Sequence, residues 1–302
     1  MIYPLHCCSI LAPLLAGKLA RLLTRLLARA GGCALVFGLA ACTTLPVPDA
    51  LPDSDGREAS LSSPWAQSSG VRTGNPLRAK SDARHWAHFR LPGKQPTLFR
   101  SAVLDGRNAI MAQADASASM LRREVRVEAA DLGAVRFSWK VPDLIASADM
   151  AHRDLDDSPV RIVLAFEGDR GRFSAKNAML NELTRALTGE EMPYAVMMYV
   201  WSKQRQLGDV IQSPRTDRIR KLVVESGVQR LHDWVDYERD IARDFEQVFG
   251  EVPGALVAIG IMTDTDNTRT QATAWYGPLQ VVQSARPSQT PSDRSAHSGK
   301  PF

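Results

Sequence analysis

The sequence predicts a mainly β protein, a two-sheet jelly-roll-like β-sandwich with two crossover helices. Short runs rich in Val, Ile, Phe, Tyr and Trp recur between clusters of turn residues, which is the pattern of strands. In residues 121–127 (LRREVRV) apolar and charged side chains alternate, as in a sheet with one wet face. Helical periodicity appears in only two segments. A doubly wound sheet would need helices that alternate regularly with the strands, so a sandwich is favoured.

The strand signal covers most of residues 76–283, which we expect to form one domain. The predicted strands are 85–91, 97–104, 108–114, 120–127, 134–141, 160–166, 194–201, 219–225, 255–262 and 271–282.

Two helices are predicted to interrupt the strands and to pack on the sheets. The first covers 175–187, with Ser174 as its N-cap and Gly189 as its C-cap. The second covers 233–249, where Trp234, Ile241, Phe245 and Phe249 recur at helical spacing before Gly250.

The first 41 residues have the order of a lipoprotein signal peptide. Four basic residues and no acidic residue come first, and an apolar stretch follows at 31–41. Leu39-Ala40-Ala41-Cys42 then resembles a lipobox, so we expect lipid on Cys42 to anchor the chain in a membrane. Thr43 after the cysteine suggests the outer membrane of a Gram-negative cell envelope, with the domain facing the periplasm.

Composition predicts the segments around the domain. Residues 42–75 are rich in Pro, Ser, Gly and Asp, as in a flexible linker, and residues 284–302 have the composition of a disordered tail. All four cysteines precede residue 43, so thiol catalysis and thiolate metal sites are excluded from the domain.

Charge argues against nucleic acid as a partner. Four of the 37 basic residues belong to the leader, which leaves 33 basic and 33 acidic residues after it. A neutral exported part without a long basic patch is not expected to bind nucleic acid.

The first candidate site follows the apolar strand at 255–262. Oxygen-bearing side chains come in succession there, and Asp264, Asp266 and Asn267 could hold Ca²⁺. The same oxygens suit hydrogen bonds to sugar hydroxyls. A turn in which Asp and Asn bond their own backbone is the structural alternative.

A second acidic cluster lies before the strand at 160–166. Asp149, Asp154, Asp156 and Asp157 precede Arg161, and this set could bind a cation, act as acid and base, or form a solvated loop. On the second predicted helix, Arg239, Asp240 and Asp244 fit an exposed ladder of ion pairs.

Aromatic side chains on predicted strands are the third group. Such rings stack on sugars when they lie on an open sheet face, and they fill the core when they point between the sheets. They are Trp139, Tyr199, Trp201, Trp275 and Tyr276.

Several segments form a further pattern along the chain: Trp139-Lys140-Val141, Ala148-Asp149, Asp156-Asp157 with Arg161, Tyr199-Val200-Trp201, Val224 to Gly227, Trp234 with Arg239-Asp240 and Asp244, Phe249-Gly250 and Thr263 to Thr268. Together they resemble an exported bacterial family, domain of unknown function 3047. The resemblance covers 89–282, and it implies that Asp156, Asp157, Arg161, Trp201, Arg239 and the 264–268 loop with Thr268 form a shared site. The order of strands also resembles the jelly rolls of carbohydrate-binding modules and laminin-G-like domains.

The sequence leaves three functions open. The first is a non-catalytic binding module for a glycan or another envelope polymer, with Ca²⁺ as a possible cofactor. The second is a glycan hydrolase or lyase that uses Asp157 or Asp264 with Arg161 or Arg239. The third is an envelope scaffold that recruits a protein partner.

Overall fold

The computed structural model describes residues 62–72 and 85–284, and within them the chain is a sandwich of two seven-stranded sheets. The first sheet contains β1 (Gly70–Arg72), β3 (Leu98–Leu104), β4 (Arg107–Asp115), β6 (Ala134–Lys140), β11 (Trp234–Asp240), β13 (Gln271–Tyr276) and β14 (Gln280–Val282). The second contains β2 (Ala87–Arg90), β5 (Ala118–Val127), β7 (Ser158–Phe166), β8 (Ala195–Ser202), β9 (Val210–Gln212), β10 (Ile219–Ser226) and β12 (Leu256–Asp264).

Strand pairing in both sheets is mostly antiparallel. The first sheet has the order β1-β14-β6-β13-β4-β3, with β11 paired to β6 as well, and the second has the order β2-β5-β12-β7-β8-β10-β9. The pairs β1/β14 and β8/β10 are parallel, so both sheets are mixed. The prediction of a mainly β, two-sheet sandwich is confirmed.

Aromatic side chains fill the space between the sheets. Trp139, Tyr199, Trp201 and Tyr276 are each at most 1% exposed. The ring of Phe137 on the first sheet stacks on that of Tyr199 on the second, with centroids 5.4 Å apart. These rings are therefore core residues, which is the alternative in which the aromatic side chains point between the sheets.

The second sheet is covered on its outer face too. Every residue of β7 and β8 is buried. In a sheet with one face open to solvent, every second residue of these strands would be exposed. A second apolar cluster on this face includes Val163, Met198 and Met262, and Met150 from the segment 142–157 packs on it. We call residues 142–157 the covering segment.

Three helices complete the described chain: α1 (Pro64–Ser68), α2 (Ala175–Thr188) and α3 (Ile241–Phe249). Single turns of 3₁₀ helix lie at Ala129–Asp131 and Arg170–Arg172. Helix α2 confirms the first predicted helix, with Ser174 as N-cap and Gly189 in the left-handed region at φ 76°. Among residues 62–72 and 85–284, every helix is too short or too polar to cross a bilayer.

The second predicted helix, 233–249, is wrong in its first half. Residues 234–240 form β11, which pairs along the whole of β6, and the helix begins only at Ile241. Val235 and Tyr237 point inward while Asp236 and Glu238 point outward, which is the period of a strand. Asp240 ends the strand and caps α3, because its carboxylate accepts a hydrogen bond from the Arg243 amide at 2.9 Å.

The predicted strand at 271–282 is divided into β13 and β14. The chain leaves the sheet at Gly277, whose amide donates to the Ser138 carbonyl at 2.9 Å. A side chain at position 277 would collide with Ser138 Oγ, so this close approach requires glycine.

The predicted linker at 42–75 also needs correction, since its end belongs to the sandwich. Trp65 in α1 is 1% exposed, and its indole nitrogen donates to the Gly277 carbonyl at 2.8 Å. Strand β1 pairs with β14. The predicted signal peptide (1–41), Cys42, residues 43–61 and the tail from 285 lie outside the described residues.

Candidate functional site

The acidic residues of the two predicted loops meet on the outer face of the second sheet, beneath the covering segment. Arg161 on β7 is 2% exposed, and its guanidinium donates to Asp264 Oδ1 at 2.9 Å and to Asp156 Oδ1 at 3.1 Å. We call Asp156, Asp157, Arg161, Lys221 and Asp264 the charge cluster.

Lys221 is the member that sequence reasoning missed. Its ammonium donates to Asp156 Oδ2 at 2.8 Å and to the Met150 carbonyl at 3.0 Å, and the side chain is 1% exposed. It therefore ties β10 to the covering segment. Local sequence held no signal for it, because the acid it binds lies 65 residues away.

Asp157 joins the covering segment to the 264–268 loop. Its carboxylate accepts hydrogen bonds from Asn267 Nδ2 at 2.9 Å, Thr268 N at 2.6 Å and Thr268 Oγ1 at 2.7 Å. The side chain is 1% exposed. Asp157, Asn267 and Thr268, three of the predicted site residues, thus come together. Their hydrogen bonds hold the covering segment against the 264–268 loop.

The predicted calcium ligands already have protein partners. Asp264 accepts from Arg161, Asp266 is paired with Lys94, and Asn267 Oδ1 accepts from Arg215 at 3.2 Å. Oxygen atoms of Asp157, Asp264 and Asp266 nevertheless all lie within 4.8 Å of one another, so the described residues do assemble three carboxylates. A cation there would compete with Lys94 and Arg161 for the same oxygens.

Burial and neighbouring charges shift the pKa values of Asp264, Lys221 and Asp156 in the charge cluster. Burial raises the pKa of Asp264 to about 7, although the Arg161 charge acts in the opposite direction. Burial, and then the positive charge of Arg161, lowers the pKa of Lys221 to about 8. Burial also acts to raise the pKa of Asp156, but Arg161 and Lys221 outweigh it and hold that pKa below its usual value.

Trp201 and Arg239 are not part of the charge cluster. Trp201 lies in the core, and its indole donates to the Gly227 carbonyl at 2.9 Å. Trp201 and Asp157 both line a pocket of about 20 Å³, which has room for one water and not for a sugar.

Arg239 and Asp244 are not an exposed ladder on a helix. Arg239 lies on β11 and pairs with Asp244 of α3 at 2.6 Å, and Asp244 is 3% exposed. Asp244 also accepts from the Tyr199 hydroxyl at 2.8 Å. The ion pair and the hydrogen bond to Asp244 therefore hold β11, α3 and β8 together.

A second and open region lies on the outer face of the first sheet. Trp234 and Trp275 both pair with Lys140, one from each side. Because the neighbours Val235 and Tyr276 point into the core, both tryptophans point outward, and both are partly exposed. Sequence reasoning had placed Trp234 on a helix and so missed this arrangement.

Beside these rings lies an open groove of about 740 Å³. It begins where β13 ends, and its lining includes Arg107, Arg136, Ser138, Asp236 and Glu238. We call this groove together with Trp234, Lys140 and Trp275 the sheet platform.

The charges of the sheet platform are paired. Arg107 binds Asp236 at 2.7 Å, Arg136 binds Glu238 at 3.1 Å, and Lys140 binds Asp105 at 2.7 Å. The Arg107 guanidinium also lies over the Trp234 ring, 5.2 Å from its centre. The surface therefore presents donors, acceptors and apolar rings with little net charge.

Fold and site together define a mainly β, two-sheet sandwich with a buried charge cluster on one outer face and an open polar platform on the other. The chain belongs to the family described as protein of unknown function (DUF3047), whose model matches residues 84–280. The resemblance seen in the sequence is thereby confirmed.

Similar chains are also found among solved structures. The xyloglucanase domain of NopAA, a type three effector from Sinorhizobium fredii, in complex with cellobiose, is similar at 8% identity and a TM-score of 0.33. The similarity covers 68% of this chain and 96% of that one. No curated protein matches the sequence.

Proposed function

We propose that the protein is an exported lipoprotein whose sandwich binds a neutral glycan or a similar envelope polymer without reacting with it. The observation that carries this proposal is the sheet platform. Partly exposed tryptophans there flank Lys140, beside an open groove that is lined by paired charges.

The chemistry of the sheet platform suits hydroxyl-rich chains. Indole faces pack against the apolar faces of sugar rings, while the charged pairs offer donors and acceptors to hydroxyls. A strongly charged polymer would have to break the ion pairs, which a neutral chain leaves intact.

The charge cluster supports catalysis poorly. Asp157 and Asp264 are 1% and 4% exposed, so neither carboxylate is presented to solvent. A general acid or base must come within hydrogen-bond reach of its substrate, and these two carboxylates are already bound by Thr268 and Arg161.

Calcium is a separate proposal for the charge cluster. The gathering of Asp157, Asp264 and Asp266 supports it, and the cations Lys94 and Arg161 already bound to two of them oppose it. We infer that the protein's own cations hold these acids together.

Anchoring is proposed to come from lipid on Cys42, which would place the sandwich on the periplasmic side of the outer membrane. The apolar leader and the lipobox support this. Expression of the full chain with labelled palmitate should yield a labelled membrane protein, and Cys42→Ser should lose both the label and membrane association. An unlabelled native chain would refute the anchor.

A glycan array with the full mature chain tests the binding function. Native protein should bind one or more neutral glycans, and Trp234→Ala and Trp275→Ala should each weaken that binding at least about tenfold, as the loss of a stacked ring does. Phe89→Ala is the matched control, because Phe89 is a partly exposed ring with Arg122 4.2 Å above it on the other sheet.

Two results would overturn the proposal. One is a folded native protein that binds no polymer on the array. The other is release of new reducing ends from a bound glycan, since that would make the protein an enzyme.

A further inference from the structure

The hairpin turn between β3 and β4 reaches the sheet platform. Asp105 and Gly106 form this two-residue turn, and both have backbones in the left-handed region, at φ 52° and 73°. A type I′ turn requires that conformation at both positions, and Asp-Gly and Asn-Gly are pairs that favour it. The turn therefore presents the Asp105 carboxylate from outside β6, β11 and β13, the strands that carry Lys140 and the two tryptophans.

One oxygen of Asp105 binds two members of the sheet platform. Its Oδ2 accepts a hydrogen bond from the Lys140 ammonium at 2.7 Å and another from the Trp234 indole nitrogen at 3.1 Å. Lys140 is itself paired in the sheet with Trp234 on one side and with Trp275 on the other. Asp105 therefore holds the first ring and neutralises the cation in the row between the two rings.

Strand pairing gives Lys140 no acid opposite it. Arg136 on β6 is paired with Glu238 on β11, and their side chains bind each other at 3.1 Å. Lys140 is paired with a tryptophan on both sides instead. Its negative partner has to come from outside these strands, and the hairpin turn supplies it.

The charges of this pair are open to a ligand. The Lys140 side chain is 21% exposed and that of Asp105 is 53% exposed. The hydrogen bond from Lys140 lowers the pKa of the Asp105 carboxyl below its usual value, so this group is a carboxylate at neutral pH. The pair adds no net charge where a polymer would lie on the rings. Without the carboxylate, an unpaired ammonium would remain there.

We propose that Asp105 determines the preference of the sheet platform for neutral over acidic glycans. Its carboxylate cancels the Lys140 charge beside the two rings and repels a carboxylated chain that approaches the same point. This inference rests on the proposed function, because it concerns which polymer the sheet platform binds.

Asp105→Asn tests the inference by removing only the charge. Asparagine keeps an oxygen that accepts from the Trp234 indole, and Asn-Gly favours the same turn. The probe is an array that carries each glycan backbone in a neutral and a carboxylated form. The ratio of carboxylated to neutral binding should rise about fivefold in the variant, which is the effect of one exposed ion pair. The gain should shrink as salt is added.

Asp115→Asn is the matched control. Asp115 is an exposed acid at the other end of β4, where it accepts from the neutral side-chain amide of Gln271 at 3.1 Å. This variant changes the net charge of the chain by the same amount and leaves the pair of Lys140 and Asp105 intact. Its binding ratio should equal that of the native chain.

Lys140→Gln gives a second test with the opposite sign. It leaves the Asp105 carboxylate without its cation, so the ratio of carboxylated to neutral binding should fall below that of the native chain. A rise in this variant would overturn the inference.

The outcomes separate the role of Asp105 from the binding function. If the native chain binds neutral glycans and Asp105→Asn has an unchanged ratio, or a gain no larger than that of Asp115→Asn, the inference is wrong and the binding function stands. A native chain that prefers the carboxylated forms would also overturn the inference. A folded native chain that binds no glycan refutes the binding function and this inference together.

Discussion

Asp157 shows how one carboxylate can hold two loops together. It accepts three short hydrogen bonds from Asn267 and Thr268, and an amide in its place would turn a donor toward donors. We expect Asp157→Asn to lower the free energy of unfolding by about 1–3 kcal/mol, as the loss of a buried acceptor does. Urea denaturation at neutral pH measures this. Asp154→Asn, which changes an exposed acid of the same segment, should have little effect. Equal losses of stability in both variants would show that Asp157 does not hold the two loops together.

Asp264 predicts a pH dependence with a definite sign. Burial raises its pKa in the folded protein to about 7 from the usual 3.8, so the folded state holds this proton more tightly than the unfolded state. Stability should therefore fall as pH rises between about 4 and 7, with a slope of at most about 1.4 kcal/mol per pH unit. Asp264→Asn retains an acceptor for Arg161 and cannot ionise, so it should remove that slope. Parallel pH profiles for the native protein and the variant would show that Asp264 does not titrate there.

Helix α1 and strand β1 place the beginning of the domain before residue 76. Trp65 is buried against Trp86, with ring centroids 4.7 Å apart, although it lies in a stretch with the composition of a linker. We expect Trp65→Ala to lower the free energy of unfolding by about 3 kcal/mol, in the range for a buried tryptophan. Thermal or urea unfolding of the full chain measures this, and an unchanged midpoint would place residues 62–72 outside the cooperative fold.

These elements also show what local sequence could predict. Six of the seven strands of the second sheet are predicted by their local apolar runs, and the short strand β9 is not. Helix α2 is predicted because Ser174 and Gly189 mark its ends. Strand β11 was mistaken for a helix because its inward side includes the charged Arg239, which hides the period of two. Strand β1 gave no signal, since its partner β14 lies about 210 residues away.

The whole molecule brings together residues that no local pattern connects. The sequence identifies Asp156, Asp157, Arg161 and Asp264, which do meet, but Lys221, which pairs with Asp156, comes from a distant strand. Lys94, which pairs with Asp266, comes from a distant loop. The tryptophans of the sheet platform are 41 positions apart in the sequence and come together only across β6. Because strand order in the sheets brings these residues together, the sequence alone does not predict that they form one site.

The thermal response to calcium depends on the ion pairs that these acids already make. Because Lys94 pairs with Asp266 and Arg161 with Asp264, we expect the thermal midpoint of the native chain to be the same with Ca²⁺ as with EDTA. A rise with Ca²⁺ that is lost in Asp266→Asn would show instead that these acids hold the ion.

Hydrogen exchange with a bound glycan distinguishes the sheet platform from the charge cluster as the binding surface. The full mature chain is compared with and without the best neutral glycan from the array. We expect slower exchange at residues 134–140 and 234–240, because β6 and β11 carry the platform. Slower exchange at 142–157 and 264–268, with β6 and β11 unchanged, would place the ligand at the charge cluster and rule out the platform.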